Sequence, residues 1–218
     1  MLAPPELFGI VEEDIYRCTE IDPLNFPFLQ TLSLKTILFI SQLKPSPAVE
    51  LFARENQIEI AHMKLPSWTS DEEWKLLPDN IASSCLSYVL NTQHYPILII
   101  DLSCTFIGVL RKVQHWALSS IINEYREMSF DRAQYLYELY LELVDLSLIH
   151  VPRISLSDRP VSSSASLKNK SYQGKSIVLE SDQNSSSSFD IEHLPDWYIE
   201  YECMWYYDKM NSIHADES

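Results

Sequence analysis

The 218-residue chain carries 31 acidic against 16 basic residues, a formal net charge of −15, with 46% hydrophobic residues. This balance argues against a nucleic-acid binder, because affinity for a phosphate backbone comes from clustered Lys and Arg releasing counterions. It also disfavours a polyphosphorylated substrate unless a local basic pocket overrides the global repulsion. The expected partner is protein.

The opening MLAPPELFGI has no secretory n-region ahead of an apolar core. The most apolar run, Pro96 to Ile100, stops at Asp101 and is too short to cross a bilayer. Four scattered cysteines (Cys18, Cys85, Cys104, Cys203) form no CxxC pair, and the six histidines are isolated. That usage fits reduced thiols in a cytoplasmic protein without membrane, metal or cofactor.

In chain order, Asp14 to Arg17 reads as a short strand. Asn25 to Leu32 reads as a helix with Pro27 in its first turn. Lys35 to Ile40 is an apolar run with β-branched residues, Pro47 to Asn56 a helix and Glu59 to His62 a strand. Asp71 to Leu90 reads as one long or two broken helices around Pro78, opened by the acidic Asp71-Glu72-Glu73. Ile97 to Ile100 is the most apolar strand. Helices follow at about Thr105 to His115, Ala117 to Met128 and Asp131 to Leu146. Apolar strands separated by helices predict an α/β fold with a mainly parallel sheet flanked by helices.

Composition changes after Pro152. Residues 151–192 are serine-dominated, with a four-serine run at Ser185 to Ser188, and are expected to be disordered. Residues 193–218 form an acidic segment crowded with aromatics: Trp197, Tyr198, Tyr201, Trp205, Tyr206 and Tyr207. These are candidate partner anchors, or else a cover for the chain's own apolar surface. The three expected regions are thus a domain at 1–150, a linker at 151–192 and a docking segment at 193–218.

Pro4 to Val11 with Ile15-Tyr16-Arg17, Asn25 to Leu29, Leu34 to Ile37, Tyr95 to Ile99, Arg111-Lys112, Trp116 and Glu124-Tyr125-Arg126 occur in one colinear series. Together they resemble the plant-and-fungal atypical dual-specificity phosphatases. Within that family the similarity is greatest to the fungal branch linked to oxidant-induced cell-cycle arrest, in particular its catalytically degenerate fourth member. Leu194-Pro195-Asp196-Trp197 extends the likeness to that member.

The resemblance implies a dual-specificity phosphatase fold and a thiolate chemistry with strict requirements. Catalytic members place His-Cys-x5-Arg directly after the strand that corresponds to Ile97–Ile100. The Cys attacks phosphorus, the loop N–H groups surround the phosphate oxygens, and the Arg clamps them at a helix N-terminus. In this chain the strand runs into Asp101-Leu102-Ser103-Cys104-Thr105. Ile100 stands at the His position, Asp101 at the nucleophile position, and the stretch before Arg111-Lys112 is about five residues shorter than the family pattern. The sixth residue after Cys104 is Leu110, and no glycine lies between Cys104 and Gly108.

A rival reading takes Asp101-x-Ser103-x-Thr105 as a fragment of the Asp-x-Asp-x-Thr motif of Mg²⁺-dependent phosphotransfer, but its second carboxylate is missing. Asp101 is better read as a cap for the following helix. Trp68 to Asp71 could correspond to a mobile acid-bearing loop, an acid with no nucleophile to serve. The resemblance therefore implies a phosphatase-like chain with no catalytic residue and no small-molecule substrate. It would act as a subunit among related phosphatase-like proteins in stress or cell-cycle signalling. The alternative is a residual protein-tyrosine or inositol pyrophosphate phosphatase.

Overall fold

A computed structural model of the chain describes residues 2–66, 75–157, 171–172, 175–179 and 191–216. The chain divides into two compact units, Met1–His150 and Val151–Ser218. The reading of Trp68 to Asp71 lies outside the described residues.

The first unit is built on a five-stranded sheet of β1 (Gly9–Glu12), β2 (Ile15–Cys18), β3 (Thr36–Ser41), β4 (Glu59–Lys64) and β5 (Ile97–Asp101). Their spatial order is β1-β2-β5-β3-β4. β2, β5, β3 and β4 pair in parallel, and β1 closes one edge as an antiparallel hairpin with β2. The central position of β5 follows from its sequence, since Ile97 to Asp101 is buried throughout and suits a strand covered on both faces. β1 gave no apolar run to read: Ile10 is 71% exposed, and the hairpin turns on Asp14 in the left-handed region (φ 60°).

On one face, Ile37 and Phe39 of β3 and Leu98 and Ile100 of β5 join Leu29, Val49 and Phe52 in a single apolar cluster. Leu29 belongs to α1 (Phe26–Gln30), and Val49 and Phe52 to α2 (Pro47–Glu55). The Ser46 hydroxyl caps α2 by accepting from the Val49 N–H, with Pro47 at its first position. The alternate residues Leu38, Ile40, Ile97 and Ile99 are buried on the opposite face, as a period of two requires. Among the described residues of the unit, four further α-helices follow: α3 (Asp79–Val89), α4 (Thr105–Val113), α5 (Leu118–Ser129) and α6 (Tyr135–Leu143). Gly108 serves packing here, because a Cβ at that position would overlap the Leu141 side chain of α6.

Arg111, buried on α4, locks three elements together. Its guanidinium donates to Glu12 of β1 (2.5 Å) and to both oxygens of Glu124 on α5 (2.8 and 2.9 Å). It also donates to the Gln114 side chain and the Val11 carbonyl, and lies 4.4 Å from the centre of the Trp116 ring. Burial opposes its charge, but the hydrogen bonds to Glu124 and Glu12 prevail and its pKa lies above the ordinary value. Lys112, next in sequence, donates to the carbonyls of Glu142 and Val144 at the end of α6.

Of the expected linker at 151–192, residues 158–170, 173–174 and 180–190 lie outside the described residues. β6 (Ile154–Ser157), β7 (Ser171–Tyr172) and β8 (Lys175–Leu179) form an antiparallel sheet in the order β6-β8-β7. The serine-rich average concealed two local apolar runs, around Ile154-Ser155-Leu156 and Ile177-Val178-Leu179, which pair with each other. Ile154 and Ile177 are buried. The expected aromatic docking segment is α7 (Asp196–Asp216), in the same unit.

Replacing Arg111 with Met keeps its apolar length while leaving Glu12 and Glu124 without their cation. Loss of one partner of a largely buried ion pair is expected to cost about 3 kcal/mol. Urea denaturation of the full chain measures this, and a cost below about 1 kcal/mol would show the clamp to be no better than a surface pair.

Candidate functional site

β5 passes into α4 through three residues, Leu102, Ser103 and Cys104. The turn is closed by the Cys104 N–H donating to the Asp101 carbonyl (3.2 Å), and Cys104 takes a left-handed conformation (φ 55°) to start the helix. Asp101 is 4% exposed, and its carboxylate points at the start of α4. One oxygen accepts from the Ser103 N–H (2.9 Å) and the Ser103 hydroxyl (2.6 Å). The other accepts from the Phe106 N–H (2.9 Å). The Ser103 hydroxyl is also 2.7 Å from the Thr105 hydroxyl.

Two N–H groups at the entry to α4 are thus met by a carboxylate of the chain itself, in the favourable end of the helix dipole. Burial pushes the Asp101 carboxyl above the usual carboxylate range, and the Ser103 and Phe106 donors pull against that rise.

Cys104 faces inward. Its sulfur lies 3.7 Å from the Asp101 carbonyl and 3.9 Å from the Met128 carbonyl, and the residue is 5% exposed. Burial and then the neighbouring Asp101 raise its pKa to about 11. A nucleophilic thiolate needs the opposite environment. The other three cysteines are likewise free and buried. Among the described residues no group of His, Cys, Asp and Glu is placed to hold a metal ion.

Asp101, Leu102 and Ser103 border a crevice of about 360 Å³ at the ends of β3, β4 and β5. In parallel α/β sheets, ligands occupy this carboxyl edge of the strands. The crevice adds Ile40, Leu43, Leu65, Leu76 and Tyr137 to the residues singled out from sequence. Those residues lie far apart along the chain, and only the carboxyl-edge position of their strands could have pointed to them. Lys75, the one basic residue lining it among the described residues, is ion-paired with Asp79 at 2.6 Å.

A model of the tyrosine phosphatase family matches residues 2–160 of the chain. The chain belongs to that family. It is 36% identical over 151 residues to the probable tyrosine-protein phosphatase DG1060 of Dictyostelium discoideum, covering 67% of this chain and 90% of that one. It is 30% identical over 205 residues to Protein OCA4 of Saccharomyces cerevisiae, covering 68% of this chain and 57% of the yeast protein. Among solved structures, the core catalytic domain of the PP-IP phosphatase SIW14 from S. cerevisiae superposes with a TM-score of 0.60 at 29% identity. That match covers 67% of this chain and 90% of the SIW14 domain. The family fold and the resemblance to the OCA branch are therefore established for the first unit, with its mainly parallel sheet.

The six aromatic residues expected to anchor a partner do not share one environment in this family member. Tyr198 is buried, and its hydroxyl donates to the Pro152 carbonyl within the second unit. Trp197 is half-buried, with a buried indole nitrogen that has no partner among the described residues. Both belong to the fold of their own unit. Tyr201 and Tyr206 are half-buried, and Trp205 and Tyr207 are exposed at 40% and 37%. Lys209 lies over the Trp205 ring at 4.7 Å. The outward-facing surface includes Met204 and Met210, which an aromatic count passed over.

Two results are expected at the site. Asp101→Ala leaves the Ser103 and Phe106 N–H groups without their acceptor and should cost roughly 1–3 kcal/mol in urea denaturation; an unchanged midpoint would remove the carboxylate from the account. With a pKa near 11, Cys104 holds on the order of one thiolate per thousand thiols or fewer at pH 7.5. Iodoacetamide should leave it unlabelled in the native chain at that pH, with the rate rising as pH approaches 11. Rapid labelling at pH 7.5 would contradict the buried, neutral thiol.

Proposed function

We propose that this chain is a non-catalytic, phosphatase-like subunit that acts in the cytoplasm through binding to related phosphatase-like proteins, in stress or cell-cycle signalling. The observation that carries the reading is the Asp101 carboxylate at the start of α4. The family resemblance puts it at the nucleophile position, and it accepts from the Ser103 and Phe106 N–H groups that a phosphate would need. A second anion would meet both occupied donors and a like charge.

The remaining parts of the chemistry support the same reading. No cysteine in the sequence has an arginine six residues later. Arg111 is committed to Glu12 and Glu124, and the Cys104 thiol lies against the Met128 carbonyl. With neither thiolate nor guanidinium on a phosphorus atom, the acceleration those groups supply is forfeited. Function then falls to surfaces, and the outer part of α7 with Trp205 and Tyr207 offers the kind of side chain that dominates interfaces.

The rival reading, a residual protein-tyrosine or inositol pyrophosphate phosphatase, rests on relatives such as the SIW14 core. A shared fold does not carry an activity with it. The purified full chain should release no phosphate from a phosphotyrosine peptide or an inositol pyrophosphate, and Cys104→Ser should match it. Turnover that Cys104→Ser abolishes would overturn the proposal. In affinity capture of the tagged chain from its own cells, Trp205→Ala with Tyr207→Ala should lower recovery of tyrosine phosphatase family chains by at least about tenfold. Unchanged recovery would move the docking surface elsewhere.

A further inference from the structure

The crevice beside Asp101 is still a formed cavity, and its chemistry no longer suits an anion. Its volume of about 360 Å³ falls in the range of small-molecule sites, roughly 300–1,000 Å³. Ile40, Leu43, Leu65, Leu76, Pro78 and Leu102 supply its apolar wall. Leu43 and Leu102, which border it, are 78% and 62% exposed.

The polar lining consists of Ser41, Gln42, Lys75, Asp101, Ser103 and Tyr137. Lys75 is neutralised by Asp79. Asp101 contributes a carboxylate, an acceptor only when ionised. Tyr137 stacks edge-on with Tyr125, and its hydroxyl has no hydrogen-bond partner among the described residues. An entering molecule therefore meets apolar walls, the Asp101 carboxylate, the Gln42 amide and the Tyr137 hydroxyl, while the Ser41 and Ser103 hydroxyls are already bonded within the chain. Among the described residues it meets no uncommitted cation.

We propose that this crevice binds a small, largely apolar molecule that is uncharged or carries an amine, and that it rejects phosphorylated ligands. The inference rests on the preceding reading that no phosphate is held at the start of α4, and it adds a ligand class that the reading alone does not supply. The ligand is bound without being transformed, since no group at the crevice is placed to react with it. Occupancy would cover Leu43 and Leu102 and bear directly on the β5–α4 turn through Ser103. A subunit that works by binding would in this way carry a ligand-dependent surface.

A matched set of probes tests the charge rule whatever the natural ligand is. Tryptamine, indole and indole-3-acetate share one ring and differ in charge, and inorganic phosphate supplies the family's anion. Titrated into the full chain and followed by methyl NMR, tryptamine and indole should shift Leu43, Leu65, Leu76 and Leu102 saturably, with Kd below about 1 mM. Indole-3-acetate should bind at least about tenfold more weakly than tryptamine, and phosphate should leave these methyls unmoved.

Leu65→Trp fills the cavity and should abolish both responses, whereas Leu51→Trp on the exposed face of α2 should not. Should Leu65→Trp fail to fold, Leu102→Lys at its exposed position decides the matter: it should weaken tryptamine more than indole. The inference is overturned if no probe binds, if the anions bind as well as the amine, or if binding survives both crevice variants. Absence of probe binding in a chain that also fails to hydrolyse phosphate esters would sink this inference alone. Hydrolysis would sink the function on which it rests.

Discussion

The carboxylate of Asp101 holds the start of α4, and the character of the site follows from that one contact. A helix that begins at the carboxyl edge of a parallel sheet offers unpaired N–H groups and a favourable dipole to any anion within reach. In a phosphatase that offer goes to substrate. Here it is taken up inside the chain by the last residue of β5, just ahead of the helix. The bond is intramolecular and permanently in register, so a dilute external anion competes against a very high effective concentration.

The neighbouring residues conform to this arrangement. Cys104, turned inward by its left-handed backbone, packs as a small apolar group against the end of α5. Arg111 ties β1, α4 and α5 into one body. Gly108 admits the close approach of Leu141. Cys104, Arg111 and Gly108 thus all serve packing in the first unit. The crevice persists because the sheet edge that forms it persists, with apolar side chains where basic ones would be needed for phosphate.

Much of this was legible in the sequence. The run Ile97 to Ile100 read as the most apolar, buried strand, and Asp101 directly after it could be read as the cap it forms. The shift of Arg111 out of register with Cys104 was equally plain from counting. β1 was not legible, because its four residues carry no alternation and its pairing depends on a turn with a positive φ at Asp14. The strands at Ile154–Ser157 and Lys175–Leu179 were hidden by averaging, since the composition of a long serine-rich stretch outweighs two short apolar runs. The aromatic residues after 193 were visible as a group, but only their helical placement separates the buried Tyr198 from the exposed Trp205. The crevice lay furthest from reach, since Leu43, Leu65, Leu76 and Tyr137 are neighbours only once the strands are ordered.

The N–H groups at the start of α4 are filled by the chain's own carboxylate. Calorimetric titration of the full chain with orthotungstate, a tetrahedral oxyanion of the size of phosphate, tests it most directly. No saturable heat is expected at millimolar concentrations. Saturable binding in the micromolar range, lost when Cys104 or Ser103 is replaced, would contradict it.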